Sequence, residues 1–309
     1  MSNSKNILYL TSLMLLMLTG CEADTSWAPL PDKGEEPVEV RLHATTVGAG
    51  VEVSRATALD GSSQIGMTGG TYQNLTLNYN TTTKTLNTTD QSKIYYPLQT
   101  DIMNIYAYAP YSTEAYDEQD NTVLVRSECQ EGNLWNGYIT DPIWAKTSVT
   151  KDNPTGTLTF AHVMSRLQIY LVHDQGKEYT NIRIEIDVDR SQYGKMSLET
   201  GEITSSNPQN DTYKRYVDDQ TLQPKENTDT PQLDFTILPG TVLKKVRVYF
   251  EGLNEDFEQE FTEMNPFPAF VAGKINRIVI NFGKIEEKAS QVNGSLENFI
   301  FENEEEIYI

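Results

Sequence analysis

The chain has 309 residues, with 24 Lys and Arg against 44 Asp and Glu, a net charge of −20. Such an acidic surface repels polyanions and argues against nucleic acid as a partner, because phosphate contacts require a basic face. The length suffices for two domains, and the only cysteines, Cys21 and Cys129, allow at most one intrachain disulfide.

At the start, Lys5 followed by the apolar run from Ile7 to Leu18 has the charged beginning and the apolar length of a signal peptide over residues 1–20. It is too short to span a bilayer. Leu18, Thr19 and Gly20, directly before Cys21, resemble the lipobox of bacterial lipoproteins, in which the cysteine is acylated and becomes the mature N-terminus. The competing reading is an ordinary cleavage site with an incidental cysteine. An acyl anchor holds through buried methylenes, each contributing about 0.8 kcal/mol. If Cys21 carries lipid, no intrachain disulfide can form, and Cys129 reads as a small core residue rather than a reactive thiol. From Cys21 onward 23 Lys and Arg face 44 Asp and Glu, a charge of −21.

Residues 21–36, rich in prolines and acids, read as a spacer between lipid and fold. The pattern then changes. "VEVRLHA" places Val38, Val40, Leu42 and Ala44 on one face and Glu39, Arg41 and His43 on the other, the period of a half-buried strand. "DGSSQIGMTGG" reads as a turn-rich separator. The polar stretch 147–156, with Pro154 and Gly156, is taken as a domain boundary, giving domains at 37–153 and 154–284. "FAHVMSRL" spaces Phe160, Val163, Met164 and Leu167 as a helical turn would, between strand-like flanks. Alternation returns with Ile182, Ile184, Ile186 and Val188, with Leu233, Phe235 and Ile237, and with Val246, Val248 and Phe250. "TSSNPQND" and "LPG" separate these runs. Half-buried antiparallel strands pack best face to face, so an all-β chain of two tandem β-sandwiches is expected. The tail, 285–309, carries two apolar clusters, Phe299 to Phe301 and Ile307 to Ile309, separated by acids.

Motifs for chemistry are sparse. His43, His162 and His173 lack the paired spacing of a zinc site, and neither a nucleophile elbow nor a phosphate-binding glycine loop occurs. Asp187, Asp189 and Ser191 begin like a calcium loop, but its sixth position is Gln192 and its twelfth Leu198, so the sharp turn and the bidentate acid are missing. No metal, cofactor or catalytic residue is assigned. Trp27, Trp135 and Trp144 could stack on sugars, against a reading as core or spacer contacts.

"VSRAT" at 53–57, "NIYAYAPY" at 104–111, "DPIWA" at 141–145, "LTFAHVMSRLQIYL" at 158–171 and "AGKINRIVI" at 272–280 occur in that order. Together they resemble the fimbrillin family of surface pilus subunits. The resemblance implies two transthyretin-like β-sandwich domains, a lipoprotein precursor carried to the outer membrane, and no catalysis. It also implies that a protease cuts after the first strand, and that a strand from another subunit fills the vacated groove. Here Val38, Val40 and Leu42 match the removable strand, and Arg55 followed by Ala56 matches the cut, against a reading of Arg55 as a solvated loop residue. The tail departs from the family's usual ending. It could donate Phe299, Phe301, Ile307 and Ile309 to another subunit, fold back on its own domain, or stay an acidic end. Implied partners are other fimbrial subunits, the outer membrane through lipid, and ligands on host or bacterial surfaces. The alternatives to a pilus subunit are a permanently lipidated anchor, a monomeric glycan-binding lipoprotein, and a hydrolase with unidentified carboxylates.

Overall fold

The computed structural model describes residues 36–46, 59–128, 137–173, 182–207, 209–217, 231, 233–250, 257–260, 267–282, 286–288, 291–293 and 296–302. Among them the secondary structure is strand and turn throughout. The strands described below belong to a single unit, Val38–Ile309.

The first ten strands are β1 (Glu39–Thr46), β2 (Gln64–Gly69), β3 (Tyr72–Asn80), β4 (Thr85–Thr88), β5 (Ile94–Tyr95), β6 (Met103–Ala109), β7 (Tyr116–Asp117), β8 (Thr122–Arg126), β9 (Ile143–Val149) and β10 (Thr155–His162). Hydrogen bonding runs β10-β9-β6-β2-β3-β4-β1, with β5 beyond β1, and an additional β1–β10 pairing closes the row on itself. The seven strands thus form a ring, which removes the open edges a flat sheet would expose. Its interior is a core that includes Ile65, Leu77, Ile105, Leu158 and Phe160, together with the predicted inward face of β1, Val40, Leu42 and Ala44.

The remaining strands are β11 (Ser165–His173), β12 (Ile182–Val188), β13 (Tyr193–Ser197), β14 (Ile203–Ser205), β15 (Asp211–Val217), β16 (Leu233–Ile237), β17 (Leu243–Phe250), β18 (Phe257–Glu260), β19 (Ile275–Phe282), β20 (Glu286–Lys288), β21 (Gln291–Asn293) and β22 (Leu296–Glu302). Two four-stranded sheets, β16-β11-β19-β22 and β15-β12-β17-β18, enclose a second core. The alternation read from sequence holds there: Ile182, Ile184, Ile186 and Val188 all point into it, facing Leu167, Ile169, Phe235 and Ile278 from the other sheet. Each of those residues removes roughly 1.5–3 kcal/mol worth of apolar surface from water.

A third core joins these bodies. The sheet β14-β13-β8-β7 pairs Thr122–Arg126 with Tyr193–Ser197, so a strand from the first half is hydrogen-bonded to one from the second. Tyr108, Val123, Val125, Val163, Met164, Met196 and Leu238 pack within it. This explains "FAHVMSRL", which is no helical turn. β10 ends at His162 and β11 begins at Ser165, and the spacing arises because Phe160 enters the first core, Val163 and Met164 the third, and Leu167 the second.

One other expectation shifts. The turn-rich "DGSSQIGMTGG" contains β2, a central strand of the ring. Gly66 is required there by close approach, since a Cβ would lie 2.3 Å from Cε1 of Tyr108 and 2.7 Å from Oδ1 of Asn74. Residues 147–156 hold the β9–β10 turn, and β10 pairs with both β9 and β1.

Candidate functional site

The seat of β1 is the feature best suited to a function. Its register with β10 is parallel over six pairs, from Arg41 opposite Thr155 to Thr46 opposite Phe160. On the other side β4 contributes only Leu42 opposite Leu86 and His43 opposite Thr85, and β5 contributes Glu39 opposite Tyr95 and Val40 opposite Ile94. The Arg41 N–H donates to the Pro154 carbonyl and the Ala44 N–H to that of Lys84, each at 2.9 Å, while the Tyr96 N–H donates at 2.9 Å to the Val38 carbonyl. Val38 is half-buried against the same core.

Leu42 lies opposite Gly156. A Cβ at Gly156 would sit 2.9 Å from Cγ2 of Thr147 and 3.3 Å from Cδ2 of Leu42, so the missing side chain helps to make the seat. At the rim, Lys93 Nζ lies 2.6 Å from the Glu39 carboxylate. The hydrogen bond from Lys93 holds Glu39 below the usual glutamate range. Such an exposed pair contributes little to stability. Taken together, the seat has an apolar floor and two flanking strands whose backbone groups need a partner, which is what an extended peptide requires of an acceptor.

The tail pairs within its own chain. β22 runs antiparallel to β19, with Phe301 opposite Ile278, Ile300 opposite Val279 and Phe299 opposite Ile280. Of the residues singled out from sequence, Val38, Val40 and Leu42 are thus together in the seat, and Phe299 and Phe301 lie on a different sheet. Cys21, Arg55, Ala56, Ile307 and Ile309 lie outside the described residues, as do Trp27, Cys129 and Trp135.

The residues of the incomplete calcium pattern are engaged elsewhere. Asp187 accepts from Thr212 at 2.7 Å and is paired with Arg247, and Asp189 accepts from the Val242 N–H at 2.7 Å. Trp144 donates its indole N–H to the Leu198 carbonyl at 2.8 Å and packs half-buried against the third core. Gly201 has φ +75, and a Cβ there would lie 2.6 Å from the Trp144 ring. Trp144 is therefore a contact between chain halves. Among the described residues no group of three His, Cys, Asp or Glu is arranged to hold a metal.

Sequence reasoning missed the polar lattice at the junction. His162 Nδ1 is 3.0 Å from Asp141 Oδ1, with both side chains buried. Arg166 makes a bidentate pair with Asp234, and Asn276 donates at 2.9 Å to Ser165. The Gly273 N–H reaches the Met164 carbonyl at 2.8 Å. "DPIWA", "LTFAHVMSRLQIYL" and "AGKINRIVI" thus meet at one place. The available signal was the set of charged residues inside apolar strand text, where burial demands a partner.

A ring closed by β1, joined to a two-layer sandwich, defines an all-β protein. The chain belongs to the fimbrillin-like family, whose model matches residues 44–298. It is accordingly a structural protein of fimbriae, and membership places it at the cell surface. No curated protein matches it in sequence. Among solved structures, a candidate cell adhesion protein from Bacteroides uniformis is similar at 16% identity and a TM-score of 0.53, covering 88% of this chain and 99% of that one. Another, from Bacteroides ovatus, is similar at 14% identity and a TM-score of 0.54, covering 85% and 96%. At these identities the likeness is one of fold.

Proposed function

We propose that the protein is a fimbrial subunit exported as an outer-membrane lipoprotein through Cys21, cut after Arg55, and assembled with other subunits by strand exchange into the seat of β1. The observation that carries this reading is the position of β1, which closes the ring between β4 and β10 and is the first strand among the described residues. Lipid and strand both precede Arg55 in the sequence, so one cut would release the anchor and free the strand together. Loss of β1 would strip Val40, Leu42 and Ala44 from the first core and unpair β10, β4 and β5 at once. An incoming strand restores both.

Two transthyretin-like sandwich domains in tandem fit this role. In this reading the first comprises β1 to β10 and the second begins at β11, because β10 is held by β1 and β9. The tail supplies the donor only after β22 leaves β19, since one strand edge cannot serve both partners.

The test is to cleave purified protein at Arg55 beside an Arg55→Ala variant treated alike, with a second sample truncated after Phe282. Cut protein should polymerise and the variant should remain monomeric. Equal assembly by both would reject processing. Assembly that survives truncation would keep processing and remove the tail as donor.

A further inference from the structure

A second concave site lies on the outer face of the ring. It is a groove of about 420 Å³ between the strands β2 and β6, the loop 96–102 and the β7–β8 hairpin. Its lining includes Tyr72, Tyr106 and Tyr116, all half-buried, and the polar side chains of Gln73, Asn104 and Glu118, all exposed. We propose that this groove binds a neutral saccharide of one or two pyranose rings.

A pyranose presents an apolar C–H face and a periphery of hydroxyls, and tyrosine offers an apolar plane with a polar tip. Tyr106 and Tyr116 pack on the third core and so are fixed without being fully covered. Tyr72 is pinned by its hydroxyl, which accepts the Tyr95 N–H at 2.9 Å. Two glycines keep the floor low. A Cβ at Gly69 would lie 2.6 Å from the Asn104 carbonyl, and one at Gly70 would lie 3.1 Å from Cε of Met103.

Asn104 accepts from Ser148 at 2.8 Å, which orients its amide and leaves the N–H donors for another acceptor. Neither Gln73 nor Glu118 forms a side-chain hydrogen bond to the described residues. An amide and a carboxylate beside aromatic planes suit paired hydroxyls, each able to donate and accept. Among the described residues Glu118 is the only charged one lining the groove and no cation lines it, so sialylated or sulfated sugars are disfavoured.

The hairpin that carries Glu118 is braced in advance. Lys195 Nζ bonds Asp117 at 3.2 Å and Asp120 at 2.9 Å, and the Asp117 carboxylate accepts the Gln119 N–H at 3.1 Å. A rigid turn lowers the ordering cost of binding. The volume falls at the small end of the usual range for ligand sites, roughly 300–1,000 Å³. None of these residues belongs to β1, so the uncut monomer should bind as well as any assembled form.

The test applies the full mature chain to an array of neutral gluco-, galacto- and manno-oligosaccharides alongside sialylated and sulfated glycans, followed by calorimetric titration with the best neutral sugar. Neutral sugars should bind. Tyr116→Ala should weaken binding by about tenfold, the loss of one aromatic contact. Because Tyr116 also touches the core, Gln73→Ala and Glu118→Ala, both at exposed positions, repeat the test without disturbing packing. Absence of binding to every neutral sugar, preference for the anionic ones, or affinity unchanged in all three variants would overturn the proposal.

Discussion

Leu42→Ala tests the seat of β1 directly. Leu42 is 2% exposed and sits in the first core opposite Gly156. Truncating a buried leucine costs about 2–5 kcal/mol, from lost transfer energy and the cavity left behind. The loss should fall on the β1-bound form, because released β1 leaves Leu42 in solvent. At about 1.4 kcal/mol per factor of ten, the population with β1 released should rise roughly thirtyfold to several thousandfold. Hydrogen exchange measured over residues 84–88 and 154–160 reads this opening, since amide protection reports the free energy of local release. Exchange there should speed up in the variant and stay unchanged over β12 and β17, in the other body. Arg41→Ala, at an exposed position of the same strand, should shift stability by no more than about 0.5 kcal/mol. Unchanged exchange over 154–160 in Leu42→Ala would refute the argument that the leucine face holds the strand. An equal rise over β12 would instead mean that β1 opens only with the whole fold.

Glu185 gives a pH dependence. Burial alone would raise its carboxyl, but hydrogen bonds from Lys214 and Tyr249 and the charges of Lys214 and Arg183 outweigh burial and hold it below its ordinary value of 4.5. A carboxylate lowered in the folded state stabilises above its unfolded pKa, and that contribution is lost as pH falls from 4.5 through the folded pKa. Denaturant titrations should show wild type losing stability over this acid range, and Glu185→Gln should flatten that part of the curve; superimposable slopes would refute the assignment. Gly201→Ala should destabilise the junction, because φ +75 disfavours a side chain and the Cβ would meet the Trp144 ring at 2.6 Å. A midpoint equal to wild type in thermal unfolding would show that the Trp144 contact carries no stability. Trp144→Phe, which removes the bond to Leu198, should cost about 0.5–1.5 kcal/mol in the same assay.

The sequence by itself determined the class of structure and the faces of individual strands. Alternation is a property of local backbone geometry, so Val40, Leu42 and Ala44, or Ile182 to Val188, announce a buried face wherever the strand goes. The acidic composition was likewise readable without a fold. Alternation does not say what the buried face meets. Only the tertiary structure set Thr45 beside Thr159, 114 positions away, and closed the ring that gives β1 its two neighbours. Only it sent Phe160, Val163, Met164 and Leu167 into three different cores, where their spacing had mimicked a helix. β2 was hidden because its glycines, Gly66 under Tyr108 and Gly69 against the Asn104 carbonyl, read as turns. The buried pairs His162–Asp141 and Arg166–Asp234 join segments remote in sequence. Register between distant strands depends on complementary shape and polarity across the contact, and a single strand carries only one side of it.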